Sequence, residues 1–277
     1  MSTIITGVNI SNKTDLEQLK NNGFNCVELF TKDSFKFDFN DEILRKIKEN
    51  GFYSVIHLPH DIDLHKQDDK QLFYFNDYIK LAKTISCDKL VLHADLDITH
   101  NNEKSDLNIV KKNLEKIVDI LNHQNIKLCL ENDEPYTDLE DIQDTTVRLG
   151  YDISSYYEKN SIYDKETKQE NISRYIDLIR NVDGLYATFD VGHGNILTED
   201  ICDFYDKIKD KVLVIHLHDN RGIKDDHLQL GKGSIDFDKF ANVCKKNSFN
   251  GPFIFENKSY EMIKQSKQYF IQKLEKV

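Results

Sequence analysis

The sequence lacks the features of a membrane protein or of a disulfide-stabilised secreted protein. None of its apolar runs approaches the roughly 20 residues that span a bilayer. The N-terminal segment MSTIITGVNIS has neither the basic region nor the long apolar stretch of a signal peptide. The five cysteines are scattered, odd in number and without a CxxC pair, which argues against a disulfide framework and a cysteine zinc site. We therefore expect a cytoplasmic protein with reduced thiols and no contact with membranes.

The sequence also lacks a basic excess, a linker and any low-complexity run. Its net charge is −11, whereas proteins that bind phosphate backbones usually present a basic face. The charge disfavours nucleic acid as a partner, although bound metal ions can supply local positive charge. A chain of 277 residues with 39% hydrophobic content fits one large globular domain, and α/β barrels of about 250 residues are the usual example.

Short apolar runs alternate eight times with helical patterns. The predicted strands are Ile4–Asn9, Cys26–Phe30, Ser54–Leu58, Lys89–His93, Lys127–Glu131, Leu185–Asp190, Val212–His216 and Pro252–Glu256. The predicted helices are Asp15–Asn21, Asp41–Asn50, Gln71–Thr84, Asp106–Asn122, Asn171–Arg180, Thr198–Lys209, Phe237–Lys246 and Tyr260–Leu274. Several strands are near-continuous apolar runs, as parallel strands buried on both faces are. The pattern predicts an α/β fold, a single-domain (β/α)₈ TIM barrel over residues 1–277, with its active site at the strand C-termini.

Histidine and acidic residues stand at or just past the ends of these apolar runs. The nine candidates are His60, His93, Glu131, Asp190, His193, His216, Asp225, His227 and Glu256. A ring of parallel strands would bring them to one pocket, and imidazole with carboxylate is ligand chemistry for zinc, manganese or iron. A lone histidine at a strand end is more often structural. Because the fourth to eighth strands all end on such a residue, we expect at least one bound metal ion.

One connection is too long for a simple loop, since 58 residues separate Glu131 from Asp190. An insertion near residues 146–170 carries Tyr151, Tyr156, Tyr157 and Tyr163 among polar residues. Loops of this length are usually functional or mobile. Two interpretations stay open, a surface elaboration and a lid over the barrel mouth that contributes a tyrosine to the pocket.

Four motifs carry a resemblance that covers essentially the whole chain. They are LCLEND with Glu131, FDVGH with Asp190, VIHLHD with His216 and FIFEN with Glu256. The chain resembles the xylose isomerase-like TIM-barrel superfamily, which joins sugar-phosphate isomerases and epimerases with the endonuclease IV (AP endonuclease 2) family. These four motifs match the single-metal site of the isomerase and epimerase branch.

Further motifs match the additional ligands of the three-zinc cluster of endonuclease IV. They are LPHD with His60, LVLHAD with His93, FDVGH with His193, and DDHLQLGKG with Asp225 and His227. The resemblance therefore implies a divalent metal cofactor, zinc or manganese, with one to three ions.

The chain departs from endonuclease IV where that family contacts DNA. It has the sequences HLHDNRG and GKGSIDF where that family has the motifs HLND and GxGxIG. IDLHKQDD lacks the Tyr-Leu wedge, and Phe35 stands where endonuclease IV inserts an arginine into the duplex. Duplex DNA is therefore not expected as a partner, while the metal-site resemblance is unaffected.

The resemblance leads to two main hypotheses for function. Under the first, the chain is a metal-dependent sugar or sugar-phosphate isomerase or epimerase, in which Glu131 and Glu256 relay a proton through an enediolate. His193, Arg221 and Glu28 would then bind the substrate. The sequences of the motifs resemble those of the isomerase and epimerase branch more closely, which favours this first hypothesis.

Under the second hypothesis the chain is a multi-zinc phosphoester hydrolase of endonuclease IV type, and all nine candidates bind metal. This hypothesis explains why His60, His93 and His227 are present, which the first does not. A third interpretation is a non-catalytic barrel with a structural metal, although nine groups around an open mouth exceed what such a site needs. The sequence does not give the oligomeric state, and a homo-oligomer stays open.

Overall fold

Eight parallel strands form a closed barrel in which each strand pairs with its neighbours in sequence and β8 pairs with β1. A computed structural model describes residues 3–11, 13–31, 39–60, 62–65, 71–93, 106–133 and 165–276. The strands are β1 (Ile5–Ile10), β2 (Cys26–Phe30), β3 (Tyr53–His57), β4 (Lys89–His93), β5 (Lys127–Glu131), β6 (Leu185–Asp190), β7 (Val212–Leu217) and β8 (Pro252–Phe255). The predicted single-domain (β/α)₈ barrel is confirmed.

Helices surround the barrel, and eight of the nine described helices follow the order that the sequence pattern predicts. They are α1 (Leu16–Asn21), α2 (Asp41–Glu49), α3 (Gln71–Ile85), α4 (Leu107–Asn122), α5 (Lys165–Asn181), α6 (Val191–Leu197), α7 (Ile201–Ile208), α8 (Phe237–Lys246) and α9 (Tyr260–Lys276). Among the described helices, none has the length and apolar composition to cross a membrane. Six of them begin after an Asp or Asn whose side chain accepts a hydrogen bond from a first-turn N–H group, the usual N-cap.

The connections on either side of β6 differ from the predicted pattern of helices. The residues after Asp190 form α6, a helix that the predicted pattern does not include. Asp190 ends β6 and also caps α6, because its Oδ1 accepts the N–H of His193 at 2.7 Å. In addition, α5 begins at Lys165, so the last six residues of the predicted insertion, 165–170, are helical. Residues 146–164, including all four tyrosines of the predicted lid, lie outside the described residues.

The barrel interior is layered, with apolar side chains beneath the polar ones. The lower layer consists of Cys26, Val55, Val91, Cys129, Val214 and Ile254, all fully buried. Each stands two positions before a polar residue, namely Glu28, His57, His93, Glu131, His216 and Glu256. Because side chains two apart in a strand point to the same side, these polar residues point into the barrel at its C-terminal end. The apolar layer closes the barrel below them.

Candidate metal centre

The C-terminal mouth of the barrel holds a cavity of about 690 Å³. Its lining includes seven of the nine candidate ligands, His60, His93, Glu131, His193, Asp225, His227 and Glu256, together with His57. The strand register sets two of the closest approaches, because His93 lies opposite Glu131 and Asp190 lies opposite His216. Neighbouring strands therefore supply neighbouring ligands.

The first group of ligand atoms surrounds Nδ1 of His216. Oε1 of Glu131 lies 3.0 Å from this nitrogen, Oε1 of Glu256 lies 3.4 Å away and Oδ2 of Asp190 lies 3.9 Å away. The other ring nitrogen, Nε2, contacts Oε1 of Glu28 at 3.1 Å. Glu28 thus orients the ring so that Nδ1 faces the three carboxylates. This group contains the four residues that the sequence predicts to bind one common metal.

The second group uses the other oxygen of Glu131. Its Oε2 lies 3.1 Å from Nε2 of His57 and 3.3 Å from Nε2 of His93. The ring of His60, at the rim of the cavity, packs against His93 with 4.2 Å between ring centroids. Glu131 is almost fully buried, and its two oxygens face two different sets of imidazoles.

The third group lies on the opposite side, where α6 meets the loop after β7. Oδ2 of Asp225 contacts Nε2 of His227 at 2.6 Å and lies 3.8 Å from Nε2 of His193. His218, fully buried beneath them, contacts Oδ1 of Asp190 at 3.1 Å through Nε2. Its ring stacks on that of His227 with 4.1 Å between centroids. Asp190 therefore links the third group to the first.

Acceptors behind the histidines fix which nitrogen of each ring is free to bind a metal. Nδ1 of His57 lies 2.9 Å from the carbonyl oxygen of Leu58, and Nδ1 of His193 lies 2.9 Å from that of Asn132. Nδ1 of His227 lies 2.6 Å from the carbonyl oxygen of Glu256, and Nδ1 of His93 contacts the carboxylate of Asp133. A carbonyl oxygen can only accept, so the facing nitrogen carries the proton. In each of these four rings Nε2 is turned toward the site, the arrangement typical of metal-binding histidines.

The close approach of carboxylates and imidazoles shifts the pKa values of several residues in the site. Burial opposes protonation of His93, but Glu131 and Asp133 outweigh it and raise the pKa of His93 to about 9. Burial likewise opposes protonation of His227, yet its contact with Asp225 raises the pKa of His227 to about 9. Burial alone would raise the pKa of Glu131, whereas His216 and His93 hold it well below its usual range. The site is thus an anionic pocket that favours cations, either protons or metal ions.

Two buried carboxylate oxygens indicate that a metal ion fits. Within the described residues, Oδ2 of Asp190 and Oδ1 of Asp225 make no hydrogen bond, although Nδ1 of His218 lies 3.3 Å from the latter oxygen. Unsatisfied buried oxygens are costly. Oδ1 of Asp190, by contrast, accepts from both His193 and His218, which leaves Oδ2 directed at the first group. Four sets of at least three ligand atoms, each within 4.8 Å of one another, occur in this region. The donor chemistry, imidazole and carboxylate, suits zinc or manganese.

Two predicted substrate-binding residues lie outside the described cavity lining. The side chain of Arg221 is 66% exposed and pairs with Asp226 at 3.5 Å. Glu28 is fully buried behind His216. Conversely, the nine sequence-derived candidates omit His57 and His218. Strand alternation offers a signal for His57, since it stands two residues after the inward-facing Val55.

The sequence profile of the Xylose isomerase-like TIM barrel family matches residues 16–275. The chain belongs to this family. An uncharacterized protein of Methanocaldococcus jannaschii is 28% identical over 190 residues, which are 69% of this chain and 63% of the relative, so the match spans less than two thirds of that protein. The probable endonuclease 4 of Mycoplasma capricolum subsp. capricolum is 26% identical over 227 residues, which are 76% of this chain and 68% of the relative.

Among solved structures, a D-tagatose 3-epimerase-like protein superposes with a TM-score of 0.75 at 20% identity, covering 99% of this chain and 98% of that one. This likeness shows a shared fold. A protein named as a probable endonuclease is thus similar to this chain in sequence, and one named as epimerase-like is similar in fold. A shared fold does not by itself imply a shared function.

Proposed function

We propose that this protein is a phosphoester hydrolase with a polynuclear divalent-metal centre. The observation that carries the proposal is the position of Glu131. One of its oxygens faces His216 at 3.0 Å and the other faces His57 and His93 at 3.1 and 3.3 Å. A carboxylate with one imidazole on one side and two on the other is suited to hold two metal ions, and two-metal sites of about 3.5–4 Å separation are typical of phosphoester chemistry.

The residues present would hold such a centre in three parts. The first part consists of Glu131, Asp190, His216 and Glu256. In the second part, Glu131 is joined by His57 and His93. The third part consists of His193, Asp225 and His227. Bound divalent ions would supply Lewis acidity and positive charge for a phosphoryl group. The chain itself orients the imidazoles through carbonyl and carboxylate acceptors and keeps the carboxylate of Glu131 ionised.

The isomerase or epimerase hypothesis is the second candidate, and Glu256 supports it. Glu256 lines the cavity, and its Oε1 accepts a hydrogen bond from Asn9 at 3.0 Å, so it is placed to exchange a proton with a bound sugar. The same hypothesis requires a free oxygen on Glu131. Because both oxygens of Glu131 face ring nitrogens, Glu131 is better placed as a bridging ligand than as a proton relay.

We expect a small phosphoester rather than duplex DNA as the substrate. The net charge of −11 opposes association with a polyanion. Phe35 lies outside the described residues, and so does half of the segment IDLHKQDD after LPHD, which lacks the wedge. The expectation on DNA accordingly rests on the sequence alone.

The experiment that tests the proposal combines metal analysis with an activity panel. Protein purified without added metal is analysed for zinc and manganese per chain, then assayed on chromogenic phosphomonoesters and phosphodiesters, an abasic-site duplex and a set of ketoses. We expect two or three metal ions per chain and turnover of a small phosphoester. Outer partners of metal ligands are already worth about 10–100-fold, so Glu131→Gln is expected to lower turnover by more than about 100-fold.

The matched control is Glu49→Gln, the same change at an exposed position on α2, which is expected to leave turnover and metal content unchanged. One metal ion per chain together with ketose epimerisation would replace the hydrolase proposal with the second candidate. Full phosphoester turnover in Glu131→Gln would remove the bridging carboxylate from the mechanism.

A further inference from the structure

The side chain of Asn132 continues the pairing between β5 and β6 after β5 has ended. The last paired residues of the two strands are Glu131 and Thr188. At the end of β6, the backbone N–H of Asp190 donates to Oδ1 of Asn132 at 2.8 Å, and Nδ2 of Asn132 donates to the backbone carbonyl oxygen of Asp190 at 2.9 Å. One carboxamide therefore bonds both backbone groups of Asp190 in place of a neighbouring strand.

The chemistry of the carboxamide is what makes this double contact. Asparagine offers a donor and an acceptor in one planar group, whereas a carboxylate only accepts and an aliphatic side chain does neither. Both bonds are buried, so their loss would leave two backbone groups of Asp190 unpaired inside the protein, which is costly. The position of Asp190 thus depends on the identity of residue 132.

The backbone of Asn132 holds a second candidate ligand. Its carbonyl oxygen accepts the hydrogen bond of Nδ1 of His193 at 2.9 Å. The backbone N–H of His193 in turn donates to Oδ1 of Asp190 at 2.7 Å, so the three residues form a closed set of hydrogen bonds. Asn132 itself is almost fully buried and does not line the cavity. It therefore acts through Asp190 and His193 rather than by touching a bound ligand.

We propose that Asn132 is a positioning residue that holds Asp190 and His193 in their ligand orientations. Asp190 belongs to the first group of ligand atoms and His193 to the third, so a displacement of Asn132 would disturb both groups together. The inference rests on the metal centre of the proposed function and adds to it a residue that binds no metal. Partners that orient metal ligands are worth about 10–100-fold in metal affinity, and we expect a loss of this size when the carboxamide is removed.

Asn25 provides a matched control at the opposite end of the barrel. Its Oδ1 accepts the backbone N–H of Thr6 at 2.8 Å, and its Nδ2 donates to the backbone carbonyl oxygen of Ile4 at 3.0 Å. Asn25 directly precedes β2 and thus lies at the N-terminal end of the strands, whereas the candidate ligands lie at the C-terminal end. Asn25→Ala removes the same pair of bonds between neighbouring strands without touching the site.

The test compares zinc affinity in Asn132→Ala and Asn25→Ala. Each chelator-treated variant is titrated with zinc against a competing chelator, and cobalt-loaded protein is followed by its visible absorption. We expect Asn132→Ala to bind zinc about 10–100-fold more weakly than the unaltered chain and to show a shifted cobalt spectrum. Asn25→Ala is expected to match the unaltered chain in both measurements, although its unfolding temperature falls.

Unchanged zinc affinity in Asn132→Ala would overturn the inference. An equal loss of affinity in Asn25→Ala would also overturn it, because the effect would then come from general weakening of the strands. Folding is monitored by circular dichroism, and if Asn132→Ala does not fold, Asn132→Asp decides on the same criterion, with Asn25→Asp as its control. The aspartate keeps the shape of the side chain but lacks the donor. Its negative charge alone would strengthen cation binding, so weaker zinc binding in Asn132→Asp is attributed to the lost hydrogen bond.

The inference and the proposed function fail in different ways. Weaker zinc binding in Asn132→Ala without phosphoester turnover in the unaltered chain would sink the hydrolase proposal and leave Asn132 as a positioning residue. Phosphoester turnover in the unaltered chain with unchanged zinc affinity in Asn132→Ala would remove the role of Asn132 alone.

Discussion

A single glycine determines whether His218 can lie beneath the candidate metal centre. A Cβ atom added at Gly192 would lie 1.8 Å from Cε1 of His218 and 2.4 Å from both of its ring nitrogens. His218 in turn contacts Asp190 and stacks on His227. The glycine thus allows a buried imidazole to connect two of the candidate ligands, in the manner of partners that orient metal ligands from behind.

We predict that Gly192→Ala destabilises the protein and weakens metal binding. The added methyl group must displace His218, and overpacking of a buried site costs about 1–3 kcal/mol. Gly194→Ala in the same helix is the control, because its Cβ would meet its nearest neighbour, Cζ of Phe189, at 3.4 Å, and alanine favours helix by roughly 1 kcal/mol over glycine. Urea unfolding and zinc titration of both variants measure the effect. Equal stability of the two variants would show that His218 has room to move.

At the scale of residues, the sequence predicts the candidate ligands that end an apolar run and misses His57, which ends β3 but lies within its motif. Glu131 and Asp190 each end an apolar run and are recognisable there. His57 lies in the interior of VIHLPHD, where the more C-terminal His60 is the more conspicuous candidate. Only the inward alternation of β3, counted from Val55, identifies His57. The register between strands, which sets the 3.2 Å approach of His57 to His93, is not readable from a single sequence.

The loop between β7 and α8 is organised by one buried carboxylate. Oδ2 of Asp219 accepts hydrogen bonds from the N–H groups of Gly231 and Gly233 at 2.9 and 2.8 Å. Its Oδ1 accepts from the N–H of Asn220 at 2.9 Å. Gly233 packs so closely that a Cβ atom there would lie 2.1 Å from the carbonyl oxygen of Asn220. The loop carries Asp225 and His227, so Asp219 positions two candidate ligands without touching the cavity.

We predict that Asp219→Asn destabilises this loop by roughly 2–4 kcal/mol, because hydrogen bonds to a buried charged group are worth about 1.5–3 kcal/mol and the new amide places donors against N–H groups. The affinity for metal is expected to fall as well, because this loop carries Asp225 and His227. Asp203→Asn, on the exposed face of α7, is the control. Thermal unfolding and zinc titration are the measurements. A variant with unaltered zinc affinity would show that Asp225 and His227 are held by other contacts.

At the scale of elements, the sequence predicts where strands and helices occur better than how they connect. The alternation of strands and helices along the chain is predicted by the apolar runs and by the apolar stripes of the helices. In α4, for example, the stripe residues Val110, Leu114 and Leu121 are buried. The helix α6 escapes prediction because Asp190 serves two elements, ending β6 and capping α6. VGHGNIL contains two glycines and resembles a loop by composition, so the tertiary context and the cap outweigh its weak helix propensity.

At the scale of the whole molecule, closure of the barrel brings acidic residues that are distant in the sequence together at one end of the barrel. The candidate carboxylates come from positions as distant as Glu131 and Glu256, yet both lie within 3.4 Å of one nitrogen of His216. The apolar layer beneath them, which includes Cys129 and Ile254, separates this charge from the other end of the barrel. Folding of the metal-free chain must therefore place several carboxylates together, and protonated histidines offset part of that cost.

This balance gives the metal-free protein a distinctive pH dependence. His93 and His227 have folded-state pKa values of about 9, above the value of about 6.5 expected in the unfolded chain. Between these values the folded state holds more protons, so the free energy of unfolding falls as pH rises. The contribution of these histidines is fully present below pH 6.5 and is lost as pH passes about 9. A shift of this size corresponds to roughly 3 kcal/mol.

We predict that chelator-treated protein loses thermal stability between about pH 6.5 and 9, whereas zinc-loaded protein does not. A bound metal ion would take the place of the protons on Nε2 of both histidines, so the loaded state would have no such protons to lose in this range. The measurement is thermal unfolding of both forms across this pH range, with proton release recorded when zinc is added at pH 7. Parallel pH profiles for the two forms, or zinc binding without proton release, would show that His93 and His227 neither hold protons in the metal-free site nor bind the metal.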